Sequence, residues 1–134
     1  MFDASLMLHD GTTITGDITP VSTTASSGSA VIDLKQTSSL GMSAVLIMGA
    51  DLEGTSDTIL VSIQESAVEG SGYVEVARFP TLTKGTGMPG TYIIRFTTDL
   101  RYVRALITTV DSSGSGYTVA SVYVLLSPYP FYLL

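Results

Sequence analysis

TILVSIQE, residues 58–65, sets Ile59, Val61 and Ile63 on one side of an extended chain and Ser62 and Gln64 on the other. A period of two over eight residues is the mark of a half-buried β-strand. Upstream, MSAVLIMGA (42–50) is almost continuously apolar, which suits a central strand covered on both faces. Between them DLEGTSD (51–57) turns the chain, and downstream Gly70 and Gly72 turn it again into YVEVARF (73–79). Further strands are expected at 91–98, with Tyr92, Ile94 and Phe96 on one face, at 101–110 and, after the Ser-Gly turn 111–116, at 117–126. Towards the start, 30–35 reads as a short strand, 12–18 as a weak one, 20–29 as a Ser/Thr-rich loop or linker, and the first ten residues as an extended arm.

No window sustains a 3.6-residue period, and Ser, Thr, Gly and β-branched residues all disfavour helix interiors. The pattern predicts an all-β fold: a jelly roll or β-sandwich of about eight strands with extended terminal arms. At 134 residues the chain fits one domain. It divides into an arm and loop (1–29), a strand core (30–126) and an apolar tail (127–134), SPYPFYLL. That tail, following a strand apolar on both faces, is more than a soluble monomer should expose, so a protein contact is expected there.

The net charge is −6, with twelve acidic and only six basic residues, which argues against a phosphate-binding surface. Only 13% of residues are charged, consistent with a surface that meets other protein. There is no cysteine, hence no disulfide, thiolate ligand or thiol nucleophile. The opening MFDASLMLHD has no basic n-region and no apolar core of sufficient length, so no signal peptide is expected. No apolar run approaches the roughly 20 residues of a membrane-spanning helix. A chain made in the cytoplasm, binding neither membrane nor nucleic acid, is the expectation.

Four groups of residues invite a chemical reading. Gly85, Gly87 and Gly90 in KGTGMPG match G-x-G-x-x-G, but a dinucleotide site requires a helix behind the glycines, and here Pro89 and a strand follow. A surface loop touching a partner through Lys84 and Met88 is the plainer reading. His9 is the sole histidine; without a G-x-S-x-G elbow, and in an arm, it is read as a contact residue beside Leu6 and Leu8 and not as a base. Asp51, Glu53 and Asp57 alternate oxygen ligands, yet lack the spacing and closing glutamate of a calcium loop and read as a solvated turn. Arg95, Arg101 and Arg104 with Tyr92 and Tyr102 form the one basic, aromatic neighbourhood. It is too small for a nucleic-acid platform and reads as an interface, where Arg and Tyr are frequent anchors, in preference to simple pairing with carboxylates. No catalytic residue, cofactor or metal is expected.

The order of landmarks resembles a known family. Asp3, Ala4, Leu6, Leu8 and Asp10, then a Ser/Thr-rich stretch and Val31 to Leu34 (VIDL), are similar to the start of the small capsid cement, or decoration, proteins of tailed bacteriophages of the Bordetella-phage type. The Gly/Pro loop before GTYII (90–94), the RYVR of 101–104, the glycine turn 114–116, the last strand and the Tyr-Pro tail at 127–130 follow the same layout. The resemblance implies a jelly-roll protein on the outer capsid surface, a homodimer or homotrimer that clamps adjacent major capsid protein subunits without catalysis or cofactor. Its expected interface residues are Leu6, Leu8, His9, Lys84, Met88, Arg101, Tyr102, Arg104, Tyr129, Phe131, Tyr132, Leu133 and Leu134. The rival reading is a carbohydrate- or receptor-binding β-sandwich module of a phage tail or fibre; against it, the chain has no Trp and carries most of its Tyr within apolar strands.

Overall fold

The computed structural model describes residues 6–11, 14–16, 19–22, 31–35, 40–52, 54, 57–85, 90–110, 117–119 and 121–128. Among these there is no α-helix and there are twelve strands: β1 (Met7–Asp10), β2 (Ile14–Gly16), β3 (Thr19–Ser22), β4 (Ile32–Asp33), β5 (Leu40–Met48), β6 (Thr58–Ser66), β7 (Val74–Arg78), β8 (Leu82–Thr83), β9 (Gly90–Thr98), β10 (Tyr102–Val110), β11 (Tyr117–Val119) and β12 (Val122–Pro128).

Their pairing follows from one long antiparallel ribbon bent at the turn after β6. Outward from that tip, β6 pairs with β7, β5 with β9, β4 and β3 with β10, β2 with β11, and β1 with β12, so partners lie nearly equidistant in sequence from the bend. Two further pairings, β12 with β5 and β10 with β6, lay the ribbon down as two sheets. Their orders are β1-β12-β5-β9 and β3-β10-β6-β7, with β4 also on β10 and β8 on β6. A ribbon rolled this way into a double sheet is the jelly roll. The expected all-β sandwich is therefore the fold of the described chain.

The alternation that identifies β6 also builds the core. Ile59, Val61 and Ile63 lie opposite Thr109, Ile107 and Ala105 of β10, and all three are buried with Val103, Ala105 and Ile107. From the facing sheet come Met42, Ala44, Leu46 and Met48 of β5, Val122, Val124 and Leu126 of β12, and Phe96 of β9. Phe79, fully buried, and Leu82 close the side of β6. Each of the Val, Leu, Ile, Met and Phe side chains among them contributes about 1.5–3 kcal/mol by leaving water, the main term opposing chain entropy. On the outer face of β5, Ser43 and Val45 are also buried, as expected for a strand covered on both sides.

Several boundaries depart from expectation for local physical reasons. The strand expected at 117–126 is two, β11 and β12, separated at Ser121, whose φ is 58°. There the chain closes on Gly49: Gly49 N–H donates to the Ser121 carbonyl at 2.9 Å, and a Cβ on Gly49 would sit 2.8 Å from that of Ser121. The loop expected at 20–29 begins within β3, along the edge of β10, where a proline is tolerated because an outer N–H has no strand to bond. The extended arm ends in β1, hydrogen-bonded to β12 with a bulge between Met7 and His9.

Candidate interaction surface

Tyr102 and Arg104 point away from the core because they alternate with the buried Val103 and Ala105 on β10. Register places Arg104 beside Gln64 of β6, and its Nε donates to Gln64 Oε1 at 2.8 Å. The same guanidinium lies 3.9 Å from the centroid of the Tyr73 ring, a cation–π stack. Tyr73 is held in turn by its hydroxyl, which donates to the Glu69 carbonyl at 2.6 Å. Burial of the phenol raises its pKa above the ordinary value, against the opposing pull of Arg104.

Arg101, just before β10, forks onto Asp33 of β4: Nε donates to Oδ1 and Nη2 to Oδ2, each at 2.7 Å. Asp33 Oδ1 also accepts from Lys35 N–H at 2.9 Å, and Leu34 N–H donates to the Arg101 carbonyl at 2.9 Å. The hydrogen bonds from Arg101 hold the Asp33 carboxyl down at about 2, and the carboxylate raises the Arg101 pKa. The Arg101 Cζ stands 5.2 Å from the Tyr102 ring centroid, so the two cation–ring contacts sit side by side on one sheet.

The neighbouring tip of the ribbon is braced. Ser66 Oγ donates to the Ser71 carbonyl and accepts from Val68 N–H at 3.0 Å. Val68 and Val74, the two large apolar side chains most exposed among the described residues, stand at 59% and 55% exposure on either side of this turn. In β7 the bulge at Val76 brings Glu75 and Arg78 onto one face, where they pair at 3.0 Å; a regular strand would turn residues three apart to opposite faces. Behind the tip, buried Glu65 gathers the turn between β9 and β10: its Oε2 accepts from Thr98 Oγ1 at 2.5 Å, Asp99 N–H at 3.0 Å and Leu100 N–H at 3.3 Å.

The sequence-based candidates separate under this geometry. Arg101, Tyr102 and Arg104 share one face: Arg101 is paired with a carboxylate, the reading set second above, and Arg104 is stacked on a ring of the same chain. Tyr92 and Arg95 belong to β9 of the other sheet, so the five residues do not form one neighbourhood. Lys84 is exposed beyond β8, at the Thr58 end of β6, far along that strand from the tip. Leu6 is half-buried against the core. Leu8 and His9, expected at an interface, are instead inside this chain: Leu8 is fully buried, and His9, 4% exposed, donates from Nδ1 to the Val122 carbonyl at 2.7 Å. The bulge turns both side chains inward where a regular strand would alternate them. Met88, Tyr129, Phe131, Tyr132, Leu133 and Leu134 lie outside the described residues.

Asp51 and Asp57 brace loops. Asp51 Oδ1 accepts from Leu52 N–H at 2.8 Å and Gly85 N–H at 3.1 Å, and Asp57 Oδ2 accepts from Gly54 N–H at 2.7 Å; Glu53 lies outside the described residues. Behind the glycine pattern, β9 begins at Gly90, so the helix N-terminus of a dinucleotide site is replaced by a strand. Tyr73 and Asp33 escaped sequence reading because only the pairing of β10 with both β6 and β4 brings them to the arginines.

No protein-family model and no curated protein matches this chain.

Proposed function

We propose that this chain is a structural virion protein that binds the outer surface of a phage capsid and, as a homo-oligomer, cements adjacent major capsid protein subunits. The observation that carries the reading is the Arg104–Tyr73 stack, tied through Tyr73 to the braced turn after β6 and accompanied by the Arg101–Asp33 fork. Arg and Tyr dominate binding energy at protein interfaces, and anchors already ordered before contact lose little entropy on docking. The family resemblance points the same way. The Tyr73 and Tyr102 rings each have a guanidinium over them, which a sugar stacking on that face would have to displace.

A protein that engages several shell subunits combines modest contacts through effective concentration and favours the assembled shell by mass action. The test is sedimentation of the purified chain with expanded capsid shells and, separately, with unassembled capsid subunits. Binding to shells and not to free subunits is expected. Absence of the chain from the shell pellet overturns the reading.

A further inference from the structure

Three arginines stand on or beside β7 and β10, and two of them are matched to carboxylates. Arg101 holds Asp33 at 2.7 Å, and Arg78 holds Glu75 at 3.0 Å. Arg104 is different. Its Nε is used on the neutral Gln64, one face lies on the Tyr73 ring, and no carboxylate pairs with it among the described residues. The cross-strand row gives the reason: Arg104 lies beside Gln64 of β6 and Gln64 beside Glu75 of β7, so the acid of that row is one strand further off and is turned to Arg78. In a chain with twelve acidic and six basic residues, an ordered guanidinium without a carboxylate runs against the charge balance.

What Arg104 still offers has a defined shape. Nη1 and Nη2 have no acceptor among the described residues. Nor are they enclosed, since Ser43 Oγ is the only buried side-chain nitrogen or oxygen without a partner among those residues. A guanidinium is planar, so with Nε held by Gln64 and one face on Tyr73 the two Nη groups form an end-on fork whose direction is set before any contact. Such a fork matches the two oxygens of one carboxylate or phosphate. The net charge of −6 disfavours a polyanion such as nucleic acid, whereas a single carboxylate in a protein surface brings one charge only.

We propose that Arg104 receives, end-on, the carboxylate of an aspartate or glutamate on the major capsid protein subunit. The identity of that partner rests on the capsid reading above, and the preference for a carboxylate rests on Arg104, Tyr73 and Gln64 alone. Hydrogen bonds to an ionised acceptor are roughly twice as strong as neutral ones, and a fork already ordered loses little entropy on pairing. Arg101 does not compete for the same group, because Asp33 already takes its Nε and Nη2.

The test uses the full chain with isotope-labelled arginine and a pair of synthetic, end-capped peptides, Ser-Val-Glu-Val-Ser and Ser-Val-Gln-Val-Ser. The glutamate peptide should move the Arg104 side-chain resonances saturably while those of Arg101 stay in place. It should also bind about five-fold or more tighter than the glutamine peptide. Equal affinity for the two peptides, or shifts at Arg101 without shifts at Arg104, overturns the proposal, and neither result depends on a substituted chain. Shell sedimentation then tests the partner. Arg104→Gln should bind expanded shells several-fold less than the parent, and Arg104→Glu, which sets like charges face to face, several-fold less again. If the two variants bind shells equally, the group that meets Arg104 is not a carboxylate and the proposal falls with the capsid reading intact. If the parent chain binds no shells yet still prefers the glutamate peptide, the capsid reading falls and the carboxylate preference of Arg104 stands.

Discussion

The Arg104 guanidinium lies 3.9 Å over the Tyr73 ring while its Nε donates to Gln64, so this cation is ordered by an aromatic face and a neutral amide. Lysine offers neither the planar stack nor the fixed fork of donors. Arg104→Lys should therefore lower the unfolding free energy by about 0.5–1 kcal/mol and leave the fold intact. Its shell binding in the sedimentation assay should fall several-fold. Equal binding by the variant would remove the stack from the docking surface.

Glu65 is a buried acid on which the turn between β9 and β10 depends. Its Oε2 receives three donors from the β9–β10 turn in a buried setting. Removing the acceptor leaves those donors without it, and Glu65→Ala should destabilise by roughly 2–4 kcal/mol. Glu65→Gln, which keeps one carbonyl oxygen but no charge, should cost less. Urea unfolding of the three proteins, compared at equal slope, measures the difference.

Asp33 makes a contribution whose pH dependence has a definite sign. Folding lowers its pKa from 3.8 to about 2, chiefly through hydrogen bonds from Arg101. The ionised form is thus favoured in the folded state: its contribution is complete above the ordinary value and is lost as pH falls through about 2. The pair is solvent-exposed, so the effect is small. An NMR titration of the Asp33 carboxyl should show the low midpoint, and Arg101→Gln should return it towards 3.8.

Gly11 sits at φ +86°, and a Cβ there would lie 2.5 Å from the Tyr123 ring. Gly11→Ala should destabilise by about 1–3 kcal/mol through both backbone strain and the clash. Repeating the substitution in a Tyr123→Ala background separates the two, since only the clash disappears. A penalty that is the same in both backgrounds would assign the whole effect to the backbone.

Long strands were legible because burial imposes a period on them: β5, β6, β9 and β10 lie within two residues of where alternation or an apolar run put them. Short strands were less so. β4 and β2 do lie inside the short strands expected at 30–35 and 12–18, but with wider bounds than the pairing allows, whereas β8, with two residues, is too short for a period and β3 contains a proline that locally argues for loop. The break at Ser121 depends on the close approach of Gly49, a contact between distant parts of the sequence. The candidate surface was half legible for the same reason. Arg101, Tyr102 and Arg104 are neighbours along one strand, whereas Tyr73, Gln64 and Asp33 reach them only through strand pairing. Conversely, Tyr92 and Arg95 are near them in sequence, but the ribbon crosses from one sheet to the other between β9 and β10.

The bent ribbon also dictates an order of events during folding. Closing a chain segment costs more entropy the longer the loop, and β6 and β7 meet across a turn while His9 and Val122 meet across 113 positions. Pairing that starts at the tip shortens the loop for each pair that follows, so the ribbon should zip outward, with β1 joining β12 last. So many distant contacts place the chain among slow folders, on the scale of milliseconds to seconds. A defect at the Ser66–Ser71 turn should slow folding, whereas one at Leu8 should chiefly hasten unfolding.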